Sequence, residues 1–177
     1  MMRSTGLGAA LLLAACAASG PQVEGYRRAG TGIYSNAVFQ PQRLAGQWVQ
    51  IAEFAEAGSP ACSAAGLTIT PADAAHLGVQ ADLCLGGVVR SFAGQAVVSG
   101  PGRLQLQGAD PGGIGAEWWV LWVDDGYRTL VLGTPSGGFG MILNRDANLP
   151  ADRLRAAREI LDWNGYDLGR LRMVGQR

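Results

Sequence analysis

Lysine is missing from this chain of 177 residues: all 14 positive side chains are arginine, set against 14 acids. With the charges cancelling, nothing in the electrostatics selects nucleic acid as a partner. The arginine bias by itself points to no function. Histidine is nearly missing too. The single one, His76, cannot build a two- or three-histidine metal site. No Cys-x-x-Cys pair, Gly-x-Ser-x-Gly elbow, phosphate loop or dinucleotide fingerprint is present. No metal, no cofactor and no catalytic residue are therefore expected, and the reading is not that of an enzyme. Long apolar runs are scarce. Leu7–Leu13 is too short to cross a bilayer as a helix. Modest β-branched content, with 27 glycines, blurs strand boundaries between Cys62 and Gly115.

What is there begins with a targeting segment. Arg3, the Leu7–Leu13 run and then Leu13-Ala14-Ala15-Cys16 resemble a bacterial lipoprotein signal, cut before a cysteine that takes lipid. Residues 1–15 read as signal peptide, 16–37 as lipidated Cys16 plus a flexible tether, and 38–177 as the folded domain. An ordinary signal peptide with a chance cysteine is the alternative. Ala17, rather than an aspartate, follows Cys16. By analogy with enterobacterial sorting, this points to a bacterial outer membrane, with the domain facing the periplasm. Gly, Pro, Gln and Ser without apolar periodicity mark the tether. Arg27 and Arg28 within it are expected to be solvated, or to meet anionic head groups.

Two cysteines remain once Cys16 is set aside, and an even pair in an exported domain suggests a disulfide. Leu67–Thr70 and Leu77–Leu83 alternate as two strands around Pro71–His76. Such a hairpin brings Cys62 near Cys84; free thiols or a metal site are the alternatives. Val88–Phe92, Gly94–Val98 and Arg103–Gln107 read as further short strands, and strands at this spacing indicate a barrel or sandwich. Trp118–Val123 is apolar on both faces, so both must be covered. Asp124-Asp125-Gly126 is a hairpin turn, followed by strands at Thr129–Gly133 and Gly138–Leu143. Residues 147–163 read as a helix. Pro150 stands at its start, Leu154, Ala157, Ile160 and Leu161 form one stripe, and Asn164-Gly165 gives the stop.

Three stretches then fall into a pattern. Leu44-Ala45-Gly46-Gln47-Trp48, with Ile51-Ala52 following, resembles the Gly-x-Trp signature of the lipocalins. Trp119-Val120-Leu121-Trp122-Val123-Asp124 followed by Tyr127-Arg128 resembles their second signature. Met141-Ile142-Leu143-Asn144-Arg145 resembles their third. The likeness is closest to bacterial lipocalins and covers roughly Phe39 to Val174. It implies an all-β fold, an eight-stranded antiparallel up-and-down barrel with a C-terminal α-helix packed outside. It also implies that Gly46, Trp48, Asp124 and Arg145 are structural, with Arg145 lying across Trp48 at the closed end and Phe39 plugging the base.

The implied function is non-catalytic binding, storage or transport of a small apolar or amphipathic ligand of the fatty acid or lysophospholipid class. Phe54, Trp118, Val120, Trp122 and Val131 are its expected wall. Arg90 is a possible carboxylate or phosphate partner, set against its reading as an outward surface residue. Two alternatives stay open: a structural or partner-binding lipoprotein whose barrel is filled by its indoles, and an envelope-lipid enzyme.

Overall fold

Alternation of side chains builds the sheet. Trp48, Leu67, Ala81 and Phe92 are successive cross-strand partners, all buried. One row of apolar groups thus runs around the inside of a curved sheet. The computed structural model describes residues 23–110, 114–115 and 117–175. The strands are β1 (Gly46–Phe54), β2 (Gly66–Pro71), β3 (His76–Leu85), β4 (Val88–Gly100), β5 (Arg103–Gln107), β6 (Glu117–Val123), β7 (Thr129–Gly133) and β8 (Gly140–Asn144). Each pairs antiparallel with the next, and β8 returns to pair with β1. The result is a closed eight-stranded barrel, with no free edge to manage.

The helix α1 (Ala151–Trp163) lies outside the barrel against β6 and β7. It starts four residues later than the sequence suggested, because Pro150 is its N-cap and extended. Ala157 and Leu161 of the expected stripe are buried, while Leu154 and Ile160 are partly so. Burying a leucine such as Leu161 contributes roughly 1.5–3 kcal/mol. A short strand β9 (Leu171–Met173) then pairs with the far half of β1. The two short strands expected over 88–98 form one long β4. Gly94 does not break it; the Phe92 ring folds into the space its missing side chain leaves.

Two cores result. The inner one fills the barrel with Trp48, Leu67, Leu77, Phe92, Leu104 and Trp118, among others. The outer one packs Phe54, Leu121, Val131 and Ile142 against Ala157, Leu161 and Tyr166. Gly133 and Gly140 make the outer core possible, since a side chain at either would collide with the Tyr166 ring. The Tyr166 hydroxyl donates to Phe139 O at 2.8 Å and accepts from Thr134 N at 2.9 Å.

The stretch read as a tether is part of the fold from residue 23 onward. Val23–Glu24 pairs with Arg27–Arg28, and Tyr26 N donates to Gly137 O at 2.7 Å. Arg27, expected in solvent, is buried. Its guanidinium donates to Asn164 O (2.8 Å), Pro135 O (2.7 Å) and Thr31 O (2.8 Å). Three carbonyls around one cation satisfy both the helix's exposed C-terminal end and the buried charge. Residues 1–15 and Cys16 lie outside the described residues.

Candidate functional site

The two ends of the barrel differ in kind. At one end the turn before β1, Pro41–Leu44, lies beside the β6–β7 turn. Gly46 has φ +101°, which favours glycine, and this bend seats Trp48 with its indole N–H on Leu44 O at 2.8 Å. The Arg145 guanidinium carbon lies 3.7 Å from the Trp48 ring centre. Its nitrogens donate to Tyr127 O, Gln47 O and Arg43 O at 3.0–3.1 Å. Burial pulls the Arg145 pKa below its usual value. Asp124 Oδ1 accepts from Arg128 N and Thr129 N, both at 2.6 Å. Burial would raise the Asp124 pKa; the Thr129 and Arg128 bonds outweigh it and hold it low. Phe39 packs on the inner core there. These groups are spent on one another and close this end.

The opposite end is a mouth, bounded by the β3–β4 turn and the loop 134–139. It holds a cavity of about 710 Å³, walled by Leu85, Val88, Ile114 and Phe139 with Arg90 on one side. Arg90 is the cross-strand partner of Leu83, whose side chain is fully buried in the inner core. Opposite residues share a face, so Arg90 is on the inward register. The reading as an outward surface arginine is therefore corrected. A guanidinium carries five donors. Arg90 already holds an interaction within the protein.

The five expected wall residues divide. Trp118 and Val120 face inward, 1% and 0% exposed. Trp122, Phe54 and Val131 belong to the outer core instead. Two bulges are responsible. Val120 pairs with Leu132, but Trp122 pairs with Val131, leaving Leu121 as an extra residue in β6. Ile51 is likewise extra in β1. One added residue sends every later side chain to the other face, which turns Trp122 and Phe54 outward. Val131 simply alternates with inward Leu130 and Leu132.

Beside the mouth, β1 outruns β2, and side chains take over the ladder. The Gln50 amide donates to Cys84 O (2.9 Å) and accepts from Cys84 N (2.8 Å), like a peptide group. Glu53, 1% exposed, accepts from Arg172 at 2.6 and 2.8 Å and from Gly87 N at 3.1 Å. Arg172 also donates to Ser59 O and Pro60 O, fastening the loop after β1. In that loop Cys62 is bonded to Cys84, with Cα atoms 6.1 Å apart. Glu53, Cys62 and Cys84 cluster closely enough to suggest a metal. The sulfurs are bonded to each other, however, and offer no thiolate. His76 bonds Asp73 through Nδ1 at 2.8 Å within a turn. A larger concavity, about 1,000 Å³, lies outside β1–β4 among Thr68, Gln80, Asp82 and Ser91. These alternate with the inward Leu67, Ala81 and Phe92, which also contribute to its lining.

Residues 39–176 match the family model described as a lipocalin-like domain. No curated protein sequence matches the chain. Among solved structures, apocrustacyanin C2 superposes with a TM-score of 0.56 at 15% identity, over 83% of this chain and 90% of that one. Lobster apocrustacyanin A1 gives 0.54 at 15%, over 83% and 90%. The siderocalin Ex-FABP, described as having dual ligand specificities, gives 0.57 at 13%, over 76% and 95%. Identities this low establish a shared fold and nothing finer.

Proposed function

This chain belongs to the lipocalin-like domain family, and from that premise we propose that it binds an amphipathic small molecule with an anionic head, non-catalytically, at the mouth of its barrel. The observation that carries this is Arg90, placed on the inward register at the rim of a cavity whose lining joins Leu85, Ile114 and Phe139 to the polar Glu117, Thr134 and Ser136. A carboxylate or phosphate on that guanidinium, with an acyl chain against Leu85, Ile114 and Phe139, satisfies both halves of such a ligand. The cavity's size suits a small ligand, and each methylene buried contributes about 0.8 kcal/mol. Fatty acids and lysophospholipids have this chemistry. Deeper in, Trp48, Leu77 and Leu104 occupy the barrel, so the acyl chain is held in the upper half.

The sequence supports a place for this activity. Cys16, in its lipobox-like setting, would carry lipid and hold the domain on a bacterial outer membrane, facing the periplasm.

The test is titration with palmitic acid and with hexadecanol, read by native mass spectrometry and by displacement of a fluorescent fatty acid. Arg90→Gln is expected to weaken the acid about tenfold or more, as loss of a charge-assisted hydrogen bond does, and to leave the alcohol unchanged. Equal loss of both would remove Arg90 from the head-group role. If neither acid nor alcohol binds the unaltered protein, the filled-barrel reading, favoured by the inner core's packing, takes its place.

A further inference from the structure

Large apolar side chains left in water are few and unevenly placed. Among the described residues, those at least half exposed are Tyr34, Val38, Val88, Val89 and Trp163. Val38 stands at the closed end, in a concavity lined by Trp122, Asp124 and Tyr127. The other four stand at the mouth, on both sides of it.

Val88 and Val89 begin β4, at the β3–β4 turn. Val88 lines the cavity. Val89 is the partner of Cys84, one residue along from the inward pair Leu83 and Arg90, so it is on the outward register. Across the opening, α1 ends at Trp163. The Arg27 guanidinium ties Asn164 O to Pro135 O, and Pro135 lines the cavity. Trp163 is thereby held at the level of the mouth. Tyr34 stacks on it, ring centres 5.0 Å apart and planes at 27°, and Asn164 Oδ1 accepts the Tyr34 backbone N–H at 2.8 Å. The pair is fixed to the helix end, yet Trp163 is 65% and Tyr34 57% exposed.

Tyrosine and tryptophan join an apolar ring to a polar tip, which suits the boundary between membrane and water. The same end holds Val23. It pairs with Arg28, whose N–H donates to Gly165 O, and Cys16, the proposed lipid site, is close before it in the chain. Here Arg28 is paired with Asp162 and Arg170 with Glu56, which leaves the contact to apolar groups. We propose that the mouth end is a membrane-contact surface, seating Trp163, Tyr34 and Val89 at the head-group boundary of a zwitterionic bilayer. The choice of a bilayer rests on the mouth-cavity and lipid-anchor readings above; the surface is what is added to them.

The probe is phosphatidylcholine vesicles, plain or brominated in the acyl chains, mixed with the full chain bearing Cys16→Ser, so that no lipid anchor contributes. Co-sedimentation is expected, unchanged between low and high salt, with tryptophan fluorescence quenched by the brominated lipid. Adding Trp163→Gln is expected to weaken partition about tenfold or more, the worth of one buried aromatic side chain. It is also expected to remove most of the quenching, since every other indole is at least partly buried. Val89→Ser is expected to weaken partition severalfold, and Val38→Ser, at the closed end, to leave it unchanged. Palmitic acid affinity in vesicle-free buffer is expected to be the same in all three. Absence of co-sedimentation, partition lost in high salt, or full partition by Trp163→Gln overturns the proposal. So does a dimer in vesicle-free sedimentation velocity that Trp163→Gln dissociates, which would assign the patch to a second copy. Palmitic acid binding without vesicle binding overturns this proposal alone. Vesicle binding without acid binding upholds the surface and removes the mouth-cavity reading.

Discussion

At Arg145 three backbone carbonyls from three separate segments converge on one guanidinium, which also covers the Trp48 ring. A lysine ammonium is a compact point charge and cannot reach all three. Arg145→Lys is therefore expected to lower the unfolding free energy by about 1–3 kcal/mol, measured by urea denaturation, with palmitic acid affinity unchanged because the mouth is at the other end. This pair was legible in the sequence, since glycine, indole and arginine each have a chemical reason to sit where they do. Arg27 was not. Its three partners, Thr31, Pro135 and Asn164, are mostly far away in the chain, and a neighbouring arginine, Arg28, is exposed. Nothing local distinguishes a buried guanidinium from a solvated one. Gln50 and Glu53 were hidden for the same reason: their partners at Cys84 and Arg172 are supplied by the fold.

Among the elements, the turn after α1 depends on Tyr166. Burial is the main cause that pushes its pKa up to about 12, from an ordinary 10.0, against the Thr134 bond and the Arg27 charge, which lower it. The neutral phenol is the form the folded state prefers. Between pH 10 and pH 12 the unfolded chain loses this proton while the folded one keeps it, so unfolding is favoured as pH rises. Stability is expected to be full below pH 10 and to fall across that window by roughly 2–3 kcal/mol. Tyr166→Phe is expected to flatten that part of the profile, while costing about 1–3 kcal/mol near neutrality through the unpaired Thr134 N–H. Denaturation curves at stepped pH measure both. The loop after β1 depends on Cys62–Cys84, 22 residues apart. Reduction is expected to cost about 3 kcal/mol, read as a lower thermal midpoint with dithiothreitol. Strand positions and the disulfide were readable from alternation and cysteine count. The faces of Phe54 and Trp122 were not. A bulge changes no composition, and because both faces of β6 are apolar, the pattern around Leu121 looks the same with or without one.

For the molecule as a whole, the fold class followed from three signatures in order, while the cavity's position depended on which side chains fill the interior. The membrane assignment belongs to this scale as well. Cys16→Ser is expected to move the exported protein from the membrane fraction to the soluble periplasmic one; a variant that stays with the membrane would remove the lipid anchor.

The first described residues bring a consequence for that anchor. Val23–Glu24 pairs with Arg27–Arg28, and between them Tyr26 is fastened to Gly137, on the loop that borders the mouth. Only six residues separate Cys16 from Val23, a span of at most ~24 Å over seven Cα steps. Were Cys16 to carry lipid as proposed, the molecule could swivel but could not turn its opening far from the lipid surface. A ligand leaving the membrane would then have little water to cross, and capture would become a lateral hand-over whose rate is set by that span. Lengthening that span with glycine and serine would slow delivery without touching a single wall residue.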